Sequence, residues 1–289
     1  MKTYKTNEEL IDYLESKGVI IKNKQDALYK IERFTYYSII NSYKRFFKDN
    51  NNKYLPNVTF NEIYSLYVFD KNLKYIMLKY ALEVETIIKS LIANQISKIY
   101  GIKNYLDLAN LDYNSKLKHK EKLLKRIKEE IKNNYNSHTA VTHYIDKYGY
   151  VPPFVLTKVL SFGVISSYYG LLKQSDRQAI SKYFKISDKL LKQILKNLTS
   201  IRNISAHSDR LFCFRDKYTL SFKTINNKYK INGNTTNMYM MLQVLKLVLT
   251  PELYKEMIDR IDKEINILSS NLKAISINDI LSIMGYPNV

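Results

Sequence analysis

Apolar residues recur at helical rather than alternating spacing along most of the chain. In "KNKQDALYKIERFTYYSIINSYKRFF", Ala27, Leu28, Ile31, Phe34 and Tyr37 fall on one face, which is the periodicity of an amphipathic helix. Upstream, Thr6 and Glu9 stand at capping-box spacing and open a short helix over residues 6–17 that ends at Gly18. Thr59 and Glu62 repeat the device after the loop "DNNNKYLPN", where Pro56 ends any extended piece, and open a helical stretch that runs to Gly101. Unbroken, that stretch would be about 60 Å long at 1.5 Å per residue. Such a length is too great for a compact domain of this size, so a break is expected near Asp70 to Asn72.

Residues 102–113 read as irregular, and "NSKLKHKEKLLKRIKEEIKNNY" (114–135) reads as a strongly charged helix with a thin apolar stripe. Its basic face suits RNA contact and plain solvation equally. "YGYVPPF" punctuates the chain at 148–154, and "VLTKVLSFGVISSYYGLL", "DRQAISKYF" and "SDKLLKQILKNLTSIRNISAH" then give three helices in quick succession. From Phe212 to about Asn234 the residues turn to β-formers and allow a small β-hairpin at "INNKYKI". Two or three helices follow before the closing "MGYPNV". The pattern predicts an all-α protein with an N-terminal helical region (1–105), a charged helical connector (106–150) and a C-terminal helical region (151–289), joined in one continuous globular unit.

Composition agrees with helix: only 7 Gly and 5 Pro punctuate 289 residues, while 45% are hydrophobic and 13% aromatic, enough to bury a sizeable core. The single cysteine, Cys213, has no partner for an internal disulfide and fits a reducing interior. The start, "MKTYKTNEELIDYL", is polar where a signal peptide would be apolar, and no apolar run approaches the roughly 20 residues a bilayer requires. A cytoplasmic protein without a membrane partner is expected. The formal net charge of +19 attracts anionic partners, and its spread along the chain favours nucleic acid. A composition rich in Lys, Asn, Ile and Tyr also fits an AT-rich coding sequence, so lysine excess alone defines no binding surface. Arginine is more telling. Of eight in the chain, Arg202, Arg210 and Arg215 cluster at or just beyond "SIRNISAHSDRLF" (200–212), and a guanidinium can grip phosphate through two parallel hydrogen bonds.

On an ideal helix of about 100° per residue, Arg202 at zero puts Ala206 near 40°, Arg210 near 80°, Asn203 near 100° and His207 near 140°. Leu191, Leu198, Ile201 and Ile204 fall on the opposite arc. The helix thus buries its aliphatic residues and turns a guanidinium, an amide and an imidazole outward, with the small Ala206 keeping that face open. RNA cleavage by the strand's own 2′-hydroxyl needs a proton acceptor for that hydroxyl, a donor for the departing 5′-oxygen and cations where charge gathers on the phosphorane, and no metal or other cofactor. An imidazole can exchange protons near neutrality, which assigns His207 to proton transfer and Arg202 to the phosphorane oxygens. Asn203 orients either the imidazole or the phosphate, and Arg210 and Arg215 hold the RNA backbone. Acid and base are easier to separate with two histidines, which favours a symmetric homodimer. The same residues also fit a plain polar helix end, where cations suit the helix dipole.

"LSFGVISSYYGLL", "QAISKYFKI" and "LTSIRNISAHSDRLF", in this order, closely resemble the AbiD/AbiF-like Abi family of abortive-infection proteins, whose motif is of the HEPN type. "LYVFDKNLKYIMLKYALEVETIIKSLIANQISKIYG" looks like the family's N-terminal half, and "MGYP" like its C-terminal ending. The resemblance implies a helical HEPN bundle and a metal-independent, dimeric endoribonuclease with Arg202 and His207 catalytic, active in phage defence. It also implies that Glu85 braces the motif from a neighbouring helix, while Lys89, counted with the RNA-binding residues, stands where the family's upstream pattern carries arginine. A toxic nuclease needs a restraint, for which an antitoxin, a structured small RNA or a dimer rearrangement are the candidates. The alternative is a non-catalytic RNA-binding or regulatory module on the same scaffold.

Other candidates carry less. His138, His143 and Asp146 match no established metal-site spacing, and His119 reads as solvated. Glu83 and Glu85 point to different helix faces. Neither a Walker loop, a Gly-x-Gly-x-x-Gly turn nor a His-Glu-x-x-His motif is present. The tyrosines of "FTYYSIINSY" could stack bases, but at helical spacing they read first as core.

Overall fold

A computed structural model of the chain describes residues 4–207, 209–216 and 220–287. Its α-helices, in chain order, are α1 (Asn7–Ser16), α2 (Lys24–Phe34), α3 (Phe60–Tyr100), α4 (Leu117–Asn134), α5 (Thr139–Tyr148), α6 (Pro153–Val159), α7 (Phe162–Leu171), α8 (Gln174–Lys182), α9 (Asp188–Ala206), α10 (Phe222–Tyr229), α11 (Met238–Leu245), α12 (Pro251–Asn271) and α13 (Ile277–Met284). The protein is all-α, and pairing between extended segments among the described residues is confined to isolated bridges such as Ile20 with Thr59 and Arg215 with Asn237. No helix of the described residues is long and apolar enough to cross a membrane.

Both capping boxes form. The Thr6 hydroxyl accepts from the Glu9 N–H while Glu9 reaches back to the Thr6 N–H, and Thr59 and Glu62 do the same at the start of α3. Two donors that a helix start leaves unpaired are satisfied in each case. Gly149, at φ 71, closes α5 in the left-handed conformation that a side chain resists, and Pro153 occupies the first turn of α6. These are the signals legible in "YGYVPPF".

The axis of the fold is α3. It runs 41 residues without the break expected near Asp70 to Asn72. Ile63, Leu66, Phe69, Leu73, Met77, Tyr80, Val84, Ile88, Ile92 and Ile96 follow one another at three- and four-residue steps and are all buried, so the apolar stripe continues through the expected break. Helices α6, α7, α8, α9 and α12 pack along α3. Its length serves as a spine for the other elements, and a spine of this kind satisfies compactness without a break. One hydrophobic cluster extends from Ile11 in α1 to Met284 in α13.

The expected hairpin is replaced by helix. "INNKYKI" lies largely within α10, where Phe222, Ile225 and Tyr229 stand at i, i+3 and i+7 and turn towards the core. Residues suited to a strand happen to fall at helical spacing, and packing decides between the two. Residues 217–219 of that β-type segment, and Ser208 of the motif, lie outside the described residues.

Candidate active site

Helix α9 buries Leu191, Ile194, Leu195, Leu198 and Ile201 and lies alongside α3. Its outward face carries Asn203 and Ala206, both exposed, and Arg202, whose side chain is 35% exposed. The helix ends at Ala206, and His207 is its C-cap with extended backbone (φ −119, ψ −178) and an N–H that donates to the Ile204 carbonyl at 3.2 Å. His207 is exposed.

The early stop corrects the expectation that the helical face continues to Arg210. Asp70 of α3, fully buried, takes the Leu211 N–H at 3.0 Å, the Phe212 N–H at 2.7 Å and the Tyr43 hydroxyl at 2.7 Å. Four residues along α3, the Lys74 ammonium donates to the Asp209 carbonyl at 3.3 Å. Backbone groups that would prolong α9 are claimed by α3 instead, and the chain turns away. Arg210 then leaves the motif face: its guanidinium donates to the Ser42 carbonyl and lies over the Phe46 ring, 5.9 Å from the centroid. Burial drives the Asp70 carboxyl above its ordinary range, against its hydrogen bonds from Tyr43 and Phe212 and the charge of Lys74.

Glu85 meets Arg202 from α3. Its Oε2 lies 4.0 Å from the Arg202 Nε, and both atoms are buried without a hydrogen-bond partner. Its Oε1 is paired with the Lys89 ammonium at 2.7 Å. A single carboxylate therefore sits between the motif arginine and the lysine that stands where the resemblance implies arginine. Lys89 is engaged inside this trio, and Arg215 is tied to the Phe214 and Ile283 carbonyls at 2.9 and 2.8 Å. Of the sequence candidates, Glu85, Lys89 and Arg202 are brought together across α3 and α9, while Asn203 lies on the exposed face of α9 and His207 stands at its end beside Lys71 and Lys74. Arg210 and Arg215 serve backbone contacts elsewhere.

Beside His207 opens a cleft of about 370 Å³ lined by Lys71, Lys74, Tyr67, Tyr75, Ser38 and Ser205, among others. The Ser205 hydroxyl is buried without a hydrogen-bond partner, and Tyr75 is well exposed. Two ammonium groups, aromatic faces and hydroxyls at the foot of an imidazole suit a nucleotide's phosphate and base. Sequence reasoning missed Asp70, Lys71 and Lys74. The available signal was a pair of charged residues, Asp70 and Lys74, one turn apart within an apolar helix stripe.

Asp146 accepts from the Tyr135 hydroxyl at 2.8 Å, His143 packs edge-on to Tyr144 and Tyr148, and His138 stands at the N-cap position of α5 without a side-chain capping bond. Among the described residues, no group of three or more His, Cys, Asp or Glu side chains gathers as a metal site would require.

Comparison with protein families matches residues 29–213, more than half of the chain, to the model of the Abi-like protein family. The matched stretch runs from α2 to the segment clamped by Asp70, and "MGYP" lies outside it. Comparison with curated proteins gave no match, and comparison with solved structures gave none either.

Proposed function

The chain belongs to the Abi-like protein family, and on that premise we propose that it acts in abortive-infection defence against phage as a metal-independent endoribonuclease of the HEPN type. The observation that carries this reading is the end of α9. An exposed His207 stands five residues after Arg202, at the edge of a lysine- and tyrosine-lined cleft, with Arg202 facing the Glu85 carboxylate of α3 at 4.0 Å.

In this reading the cleft receives a ribonucleotide with its 3′-phosphate near Lys71 and Lys74. Neutral His207 takes the proton from the 2′-hydroxyl, whose oxygen bonds to phosphorus, and Arg202 offers N–H donors to the charge that gathers on the non-bridging oxygens. The bond from phosphorus to the 5′-oxygen breaks, and that oxygen receives a proton from the imidazolium of a second copy. The products are a 2′,3′-cyclic phosphate and a 5′-hydroxyl. Asn203, exposed one turn before His207, orients the imidazole or the phosphate. Exposed Tyr75 and Leu82, seven residues apart on α3, offer an apolar edge beside α9 against which the second copy can pack. Such an enzyme is toxic to its host and calls for restraint by an antitoxin or a structured small RNA.

The test is incubation with total RNA in excess EDTA. The parent is expected to cut and leave cyclic phosphate ends, and His207→Ala to cut about a hundredfold more slowly or less, with unchanged melting and RNA affinity. Cleavage at the parent rate by His207→Ala overturns the assignment. Engagement of Arg202 with Glu85 favours the non-catalytic RNA-binding module as the second reading, and RNA binding with no cleavage at all selects it.

A further inference from the structure

Between α4, α7 and α9 lies a second groove, of about 580 Å³, that the cleavage reading does not use. Four of its eleven lining residues are Lys122, Arg126, Lys192 and Lys196, two more are Ser166 and Ser167, and none is acidic. In a chain that carries 27 Asp and Glu, four cations around one hollow without a carboxylate in its lining concentrate positive potential at close range.

Two details show that the groove is formed by packing. Gly170 of α7 passes so near α9 that a Cβ there would lie 3.0 Å from the Lys192 Cε, and the Lys192 ammonium donates to the Gly170 carbonyl at 3.0 Å. Lys192 is thereby held half-buried. Burial, reinforced by the neighbouring charges of Arg177 and Lys196 and opposed more weakly by the carboxylates of Asp112 and Asp188, pulls its pKa below the ordinary lysine value. An anion in the groove would relieve that repulsion. On the opposite wall Lys122 and Arg126 are exposed, one turn apart on the charged helix α4.

We propose that this groove is a phosphate-binding track for the RNA strand, continuous with the cleavage site. The proposal rests on reading the end of α9 as that site. Lys192, Lys196 and Asn203 stand at i, i+4 and i+11 and so share one face of α9. From Lys192 to Asn203 the helix rises about 16 Å at 1.5 Å per residue, a length that a few nucleotides span. A strand lying there places successive phosphates against ammonium groups before it reaches His207, and the groove offers no ring of base-reading amides, so it favours polyanionic backbone over sequence.

The experiment measures binding of a short 2′-O-methyl oligoribonucleotide, which lacks the attacking hydroxyl, by fluorescence anisotropy over a range of salt. The Lys122→Ala/Arg126→Ala double variant is compared with the parent and with Lys5→Ala/Lys17→Ala, an equal loss of charge flanking α1. For the groove variant, affinity is expected to fall about tenfold and the salt dependence of log K to flatten by about 0.7 for each phosphate no longer neutralised. The control pair should change neither by more than about twofold. Equal effects of the two variants, or no effect of either, overturn the proposal. So does a groove variant that loses inorganic tripolyphosphate binding yet keeps the oligonucleotide, since the groove then serves a small polyanion. Cleavage of ordinary RNA by His207→Ala is scored separately: if it persists, the catalytic reading fails while the binding data still decide the groove.

Discussion

Asp70 occupies a position where the spacing of α3 demands a core residue, and its carboxylate gathers donors from Tyr43, Leu211 and Phe212. Replacing it by alanine strands three buried donors, which is expected to cost about 3 kcal/mol or more. Asp70→Asn should cost far less, because its amide oxygen still accepts both N–H groups and its amide nitrogen can donate to Tyr43. Urea denaturation of the two variants checks the order, and equal losses would show that the carboxylate's charge, not its acceptor geometry, holds the loop. This residue also marks the limit of what sequence reveals. Thr6 with Glu9 and Thr59 with Glu62 were legible because capping acts over three residues. The Asp70 clamp joins residues 141 apart: the charged pair Asp70 and Lys74 in an apolar stripe marks a buried polar contact, but nothing local to either segment names its partner. Arg210 was misplaced for the same reason, since its place beside His207 on a helical wheel requires α9 to continue.

At the scale of elements, Glu62 couples the start of α3 to the end of α12. Besides its capping bonds to Thr59, its Oε1 accepts the Lys273 and Ala274 N–H groups, both at 2.6 Å. Burial acts to raise its pKa, but hydrogen bonds from Ala274, Lys273 and Thr59 outweigh this and hold the carboxyl below its ordinary 4.5. A depressed folded-state value means that this stabilisation is fully present above the unfolded-state pKa and fades as pH falls through the folded one. The parent is therefore expected to exceed Glu62→Gln in stability at neutral pH, and the gap to narrow as the medium is acidified below about 4.5. Denaturant midpoints of the pair across that range decide it, and a gap independent of pH would remove the carboxylate from the account. Helix type and approximate boundaries were readable for α1, α3, α4 and α9 because their apolar positions repeat over several turns. The segment that became α10 was not, being short and rich in residues that suit either structure.

For the molecule as a whole, charge and helix content were legible from composition, and the order of motifs pointed to the family that residues 29–213 match. How α3 and α9 share Glu85, Lys89 and Arg202 was only partly so, because the contact depends on two distant helices lying side by side. If catalysis needs an imidazole from each of two copies, inactive subunits will poison active ones. Equal amounts of parent and His207→Ala, mixed and allowed to exchange, should then retain about a quarter of the activity of the parent alone at the same total concentration, the share of pairs with both histidines. Retention of half would assign a complete site to each chain. The unbroken α3 has a mechanical consequence. Asp70 and Glu85 are fifteen residues apart on it, about 22 Å at 1.5 Å per residue, so the loop anchored by one and the guanidinium faced by the other cannot be drawn together or spread by stretching.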